Sequence, residues 1–169
     1  MNTERSGSGT VVVAVDGSPA SLEALRHGHR MATLLGDELL AVTAWRPFRR
    51  LVLPPPTIHP QETAEQLLSA SMAEAFRGGV LPPIRTMTVE GDPAESLVKI
   101  SRDADLLVIG SRGHSGLVGT VLGSVSAHCA AHAHCSVLVV HAPIVASDDA
   151  ALSHARPEDP SPDRPFVRS

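Results

Sequence analysis

The chain has 169 residues, 43% of them hydrophobic, enough for one domain with one substantial core and too few for two full domains. Its 14 Lys and Arg are outnumbered by 18 Asp and Glu, giving a formal net charge of −4, and its only aromatic residues are Trp45, Phe48, Phe76 and Phe166. That balance disfavours nucleic acid as a partner, since it supplies neither a basic surface for phosphates nor an aromatic platform for bases.

Met1 to Gly9 is polar, lacks the apolar stretch of a secretory signal and is expected to be flexible, and no apolar run reaches membrane length. The expectation is a cytoplasmic protein with no membrane association, in which Cys129 and Cys135 are free thiols.

Thr10 to Val15 (TVVVAV) is continuously apolar and β-branched, the pattern of a strand covered by helices on both faces. Asp16-Gly17-Ser18-Pro19 turns the chain into a helix, with Ser18 as the cap and Pro19 at the first helical position, where no N–H is needed. Within that helix Ala24, Gly28, Met31 and Leu35, flanked by Leu25 and Ala32, form a stripe expected to face the sheet. Leu39 to Trp45 reads as strand two, and Arg46 to Pro60, with five of the fourteen prolines, as a long surface loop.

A helix over Gln61 to Arg77 places Ala64, Leu67, Leu68, Ser71 and Ala75 on one face and stops at Gly78-Gly79. Ile84 to Glu90 alternates as strand three. Asp92-Pro93-Ala94-Glu95 is a capping box that starts a helix with Leu97 and Ile100 inward. Strand four is Asp105 to Gly110, a last helix runs over Gly123 to Ala133, and Ser136 to His141 is strand five. Strict alternation of strand and helix specifies a single-domain α/β fold: an open, mostly parallel five-stranded sheet with helices on both faces. The domain is expected over residues 10–143. Residues 144–169, with their prolines and many charges and no periodicity, are expected to be a disordered tail.

Strand four empties into Gly110-x2-Gly113-x9-Gly123-Ser124, a glycine-studded loop that ends at a helix start. Glycines let backbone N–H groups approach an anion, and a helix N-terminus adds roughly half a positive charge, so such a loop suits phosphate. In open α/β sheets ligands sit beyond the C-terminal ends of the strands, where strand order reverses. Asp16 and Gly110 would open onto one such crevice if strand one is central. A carboxylate there cannot favour phosphate but can accept from a ribose hydroxyl. Neither G-x-G-x-x-G after strand one nor G-x4-G-K-[ST] is present, so the dinucleotide-binding fingerprint and the Walker P-loop are both excluded.

Over roughly Thr10 to His141 the chain resembles the universal stress protein family, specifically its nucleotide-binding branch. VAVDGS in strand one, AVTAW in strand two, GDP before the third helix, DLLVIGSRGHSGLVGTVLGSVS and SVLVVH carry the likeness. The resemblance implies a Rossmann-like fold of the adenine nucleotide alpha hydrolase type, strand order 3-2-1-4-5, and binding of ATP, with or without Mg2+. It implies that Asp16 contacts ribose and adenine, that the Ala14 and Val15 backbone lies near the base, and that Ala44 lies against adenine. Ile109, Gly110 and Gly113 match the strand end and first loop glycines. Gly123, Ser124, Val125 and Ser126 match the helix start that holds the phosphates, where Ser124 and Ser126 offer hydroxyls. Arg112 falls where the family often carries a polar or basic residue. The loop between Gly113 and Gly123 is the expected lid, with His114 either on phosphate or in solvent.

Bland roles compete with these. Asp16 could cap the first helix, though Ser18 is better placed. His128 and His132 share a helix face near Cys129, His134 and Cys135, but no C-x2-C pair accompanies them, so packing is preferred over a metal site. Gly113-His114-Ser115-Gly116 is not a nucleophile elbow, because Leu117 occupies the position that needs glycine. Arg46, Arg49 and Arg50 read as a solvated basic patch.

With no lysine in the phosphate loop and no evident base to orient water, no catalytic residue is assigned and any ATP hydrolysis is expected to be slow. The functional expectation is an ATP-binding regulatory or stress-response module. It is also expected to form a homodimer, since strand 136–141 would otherwise be an exposed edge. The competing class is a nucleotide-free dimerisation or protein-interaction module of the same fold. A small-metabolite hydrolase or transferase using Ser115 or His114 is a third.

Overall fold

A computed structural model of the chain describes residues 9–47, 59–113 and 122–142. Five strands and four helices alternate: β1 (Thr10–Ala14), α1 (Pro19–Leu35), β2 (Glu38–Trp45), α2 (Pro60–Ala75), β3 (Arg85–Glu90), α3 (Pro93–Ile100) with a 3-10 turn over Ser101–Asp103, β4 (Leu106–Gly110), α4 (Ser124–His132) and β5 (Ser136–Val140). The strands form one parallel sheet in the order β3-β2-β1-β4-β5, so the expected architecture and strand order hold.

Period-two alternation along the central strand divides the core. Val11, Val13 and Val15 pack with Ala24, Leu25, Ala32 and Leu68 on the face covered by α1 and α2. Val12 points the other way, to Leu97, Leu107, Ile109 and Cys129 beneath α3 and α4. Val11, Val12 and Val13 are at most 1% exposed. Each such fully buried aliphatic side chain contributes roughly 1.5–3 kcal/mol.

Local chemistry sets the helix ends. Ser18 caps α1 by accepting the Ser21 amide at 3.2 Å, and Gly36 closes it in the left-handed region at φ 72°. Asp92 caps α3 through the Ala94 and Glu95 amides at 2.9 and 3.2 Å. Those amides, Glu95 first, together with the Arg46 guanidinium, hold the Asp92 carboxyl below the usual aspartate range against a smaller opposing effect of burial.

Several boundaries differ from the sequence expectation. Val15, Ile84, Asp105 and His141 fall just outside their strands, and α2 begins at Pro60, which the proline loop had claimed. Of the stripe assigned to α1, Ala24, Leu25, Gly28 and Ala32 are buried, Met31 is half-buried and Leu35 is 55% exposed. The last turn of α1, next to Gly36, leaves Leu35 with little to cover it. Of the cluster on α4 and β5 only Cys129 is fully buried, whereas His128, His132 and His134 are surface residues and not the packing residues expected. The expectations for the N-terminal segment up to residue 8, the heart of the proline loop with Arg49 and Arg50, the lid over 114–121 and the tail from 143 onward lie outside the described residues.

Gly110, at the end of β4, lies directly against the backbone of α1. A Cβ there would lie 2.9 Å from the Ala20 carbonyl carbon and 3.0 Å from the Ser21 amide nitrogen, so α1 can rest on β4 only if that position is glycine. Gly110→Ala is expected to cost about 1–3 kcal/mol through overpacking against backbone that cannot move aside; an unchanged urea midpoint would refute the close approach.

Burial of Cys129, helped by neighbouring Cys135, pushes its thiol up from the ordinary 9.0 to about 11. Because folding raises this pKa, the associated stability is fully present below pH 9.0 and is lost as the pH climbs through about 11. Replacing Cys129 by Ala should therefore flatten the alkaline limb of the stability profile between those values. Alkaline unfolding identical in the two proteins would count against it.

Candidate nucleotide-binding site

All five strands are parallel, so their C-terminal ends emerge along one side of the sheet, and β1 and β4 diverge there into different crossovers. A cavity of about 430 Å³ opens at that point, within the range of small-molecule sites.

After β1, Gly17 takes a positive φ of 81°, which lets the chain fold back so that the Asp16 carboxylate meets the start of α1. Asp16 Oδ1 accepts from the Ser18 amide at 3.0 Å and from the Ser18 hydroxyl at 2.6 Å. Oδ2 lies against the glycine loop, 2.6 Å from where a Gly113 Cβ would sit. The cap and the acid are thus separate residues, Ser18 and Asp16, as the spacing suggested.

Three hydrogen bonds strap the end of β4 to its neighbours. The Ser111 amide donates to the Val140 carbonyl at 2.7 Å, the Gly123 amide to the Ser111 carbonyl at 2.9 Å, and the Ser126 hydroxyl to the Gly110 carbonyl at 2.6 Å. Gly123 is the extended N-cap of α4, and the first intrahelical bond is Ala127 amide to Gly123 carbonyl at 2.9 Å. The amides of Ser124, Val125 and Ser126 therefore have no acceptor within the helix. They sit at its positive end, on the wall of the cavity. Ser111 Oγ is buried and has no hydrogen-bond partner among the described residues.

Ala14, Val15, Asp16, Ala44, Ile109, Gly110, Arg112, Gly113, Gly123, Ser124, Val125 and Ser126 all line this one cavity. Arg112 is exposed at its edge. Two assignments change in detail. The Val15 amide is spent on the Val42 carbonyl at 2.8 Å, and the Val15 carbonyl accepts the Thr43 hydroxyl at 2.9 Å. The Ser126 proton is committed to Gly110, so Ser124, exposed at the helix start, is the hydroxyl of the pair with no partner among the described residues.

Ser21, Val42, Thr43, Leu67, Pro93 and Leu97 also line the cavity and were not singled out as site residues. Leu67 and Leu97 carried a sequence signal, but as inward-facing positions of their helices. With Ala14, Val42 and Ala44 they form an apolar wall suited to a flat, uncharged ring. Arg46, just past β2, pairs with Asp92 beside Pro93. His128 and His132 face each other at 4.5 Å between ring centroids, and among the described residues no group of three or more His, Cys, Asp or Glu is arranged to hold a metal ion. No described helix is long and apolar enough to cross a membrane.

Comparison with known proteins adds kinship to this geometry. The model of the universal stress protein family matches residues 8–141. Universal stress protein MJ0531 of Methanocaldococcus jannaschii is 35% identical over 145 residues, covering 79% of this chain and 82% of that protein. Universal stress protein Rv2623 of Mycobacterium tuberculosis is 30% identical over 153 residues, covering 85% of this chain. The chain spans about half the length of that mycobacterial relative, 50%. Among solved structures, a universal stress protein in complex with cAMP superposes with a TM-score of 0.57 at 29% identity, covering 82% of this chain and 100% of that one. The family match runs from before the first strand to beyond the last, and the chain belongs to the universal stress protein family.

Proposed function

We propose that this chain binds ATP in the cavity between β1 and β4 and acts as a regulatory or stress-response module whose state follows nucleotide occupancy. One observation carries this: a carboxylate acceptor, an apolar wall and the amide-rich start of α4 surround a single cavity of about 430 Å³. The 29% identical structure that holds cAMP supports an adenine nucleotide as the ligand class.

In this reading adenine lies against Ala14, Val42, Ala44, Leu67 and Leu97. The ribose hydroxyls donate to Asp16, and the phosphates face the amides of Ser124 to Ser126, with Arg112 at the edge as a supplementary cation. Asp16 is the only carboxylate among the described lining residues. A magnesium ion arriving with ATP would therefore be held by phosphate oxygens and water rather than by a protein cage. The described lining also offers no lysine or general base beside the phosphates, which fits slow hydrolysis at most.

The proposal further places the protein in the cytoplasm, where ATP is abundant, as a homodimer joined along strand 136–141. Among the described residues β5 pairs only with β4, and in this reading its other edge takes a second copy. Sedimentation at micromolar concentration should give the dimer mass; a monomer would remove that part of the proposal.

Protein purified and then denatured should release an adenine nucleotide on chromatography, and added ATP should raise the melting temperature. Asp16→Ala should weaken ATP binding about tenfold or more, as expected for loss of a charged hydrogen-bond acceptor. If no nucleotide is released and ATP gives no shift, a nucleotide-free interaction module is the better description.

A further inference from the structure

Asp16, the one carboxylate in the described lining of the cavity, is held by a residue outside that lining. We propose that Ser18, which does not line the cavity, is a positioning residue that fixes the Asp16 carboxylate and thereby sets the preference for ligands with free ribose hydroxyls; this rests on the nucleotide reading above.

Ser18 is 3% exposed, and its hydroxyl sits at a junction of three segments. It accepts the Ser21 amide at 3.2 Å as the cap of α1. It lies 2.6 Å from Asp16 Oδ1 and 3.3 Å from the Arg112 carbonyl, two acceptors for one proton. The shorter contact, to a charged acceptor, takes it. Asp16 Oδ1 then holds two donors from the same residue, since the Ser18 amide also reaches it at 3.0 Å. The carboxylate cannot rotate without breaking both bonds.

No donor among the described residues is bonded to Oδ2, which makes it the oxygen for an incoming donor. It rests against Gly113, where a Cβ would come within 2.6 Å. A loosened carboxylate would have other rotamers open to it, so a ribose hydroxyl would have to bear the cost of ordering it. A fixed one accepts at once. Cap and anchor are thus one hydroxyl, and the carboxylate it holds lies against the first turn of the glycine loop.

The test compares ATP with 2′,3′-dideoxy-ATP by calorimetry on the full chain, in the unaltered protein and in Ser18→Ala and Ser18→Gly. Glycine is a tolerated N-cap, so the second variant removes the hydroxyl at little cost to the helix and remains usable if the alanine variant fails to fold. The unaltered protein should prefer ATP by about tenfold or more, the size expected for one hydrogen bond to a charged group. In the variants that preference should shrink to within about twofold, through weaker binding of ATP with dideoxy-ATP affinity unchanged. Variants that melt earlier yet keep the full preference would show Ser18 to be a helix cap only, and would overturn the inference while leaving the nucleotide reading intact. An unaltered protein that binds both nucleotides equally would overturn it as well. One that binds neither would overturn the nucleotide reading, and this inference with it.

Discussion

The missing side chain at Gly110 is the constraint on which the site depends. β4 ends with its last residue less than a methyl group's distance from Ala20 and Ser21, so the first turn of α1 rests directly on the end of the strand. That contact brings the Asp16 turn and the glycine loop into one space, although the two segments lie nearly a hundred residues apart. Any larger residue would push the helix off the strand end and part the two walls. The glycine that a sequence reading assigns to a phosphate loop is thus also needed for packing, and the two demands coincide at a single atom's absence.

A second theme is economy of charge. The described lining of the cavity holds one carboxylate and one guanidinium, and the remainder is aliphatic side chain, hydroxyl or peptide. Attraction for an anion falls chiefly to the uncapped amides of α4, which keep their orientation because Gly123 and Ser126 are bonded back to Ser111 and Gly110. Those straps use the main-chain groups of Ser111 and leave its buried hydroxyl without a partner among the described residues. The protein tolerates that cost where the backbone geometry matters more than the side chain.

Much of this was legible in the chain because the signals are local. β-branched runs, Ser18-Pro19 and Asp92-Pro93 mark starts and Gly78-Gly79 marks an end, so the order of elements and a mostly parallel sheet could be read directly, while the strand order came from the resemblance to the family. The polar half of the cavity was legible too, since glycine spacing and a strand-terminal acid leave a trace in one dimension. Of its apolar half only Ala14, Val15, Ala44, Ile109 and Val125 were named, through the resemblance. Val42, Leu67 and Leu97 present the same pattern whether a side chain meets another helix or an open cavity, and periodicity cannot tell the two apart. Nor does periodicity record where the sheet beneath a helix stops, which is why Leu35 was assigned inward and lies in solvent. The histidines of α4 misled for a related reason: spacing put two on one face, but not which face.

The borders of the cavity come from the ends of β1, β2 and β4 and the starts of α3 and α4, stretches that no partial chain brings together. Under the nucleotide reading proposed above, occupancy reports whether all of these borders are in place. A ligand held only by the complete arrangement adds stability with its concentration, about 2.7 kcal/mol at a hundredfold excess over Kd, and every local opening that parts two borders is opposed by the same amount. Supply of the small molecule would then govern how long the folded molecule survives, with no need for a separate sensor of its own condition.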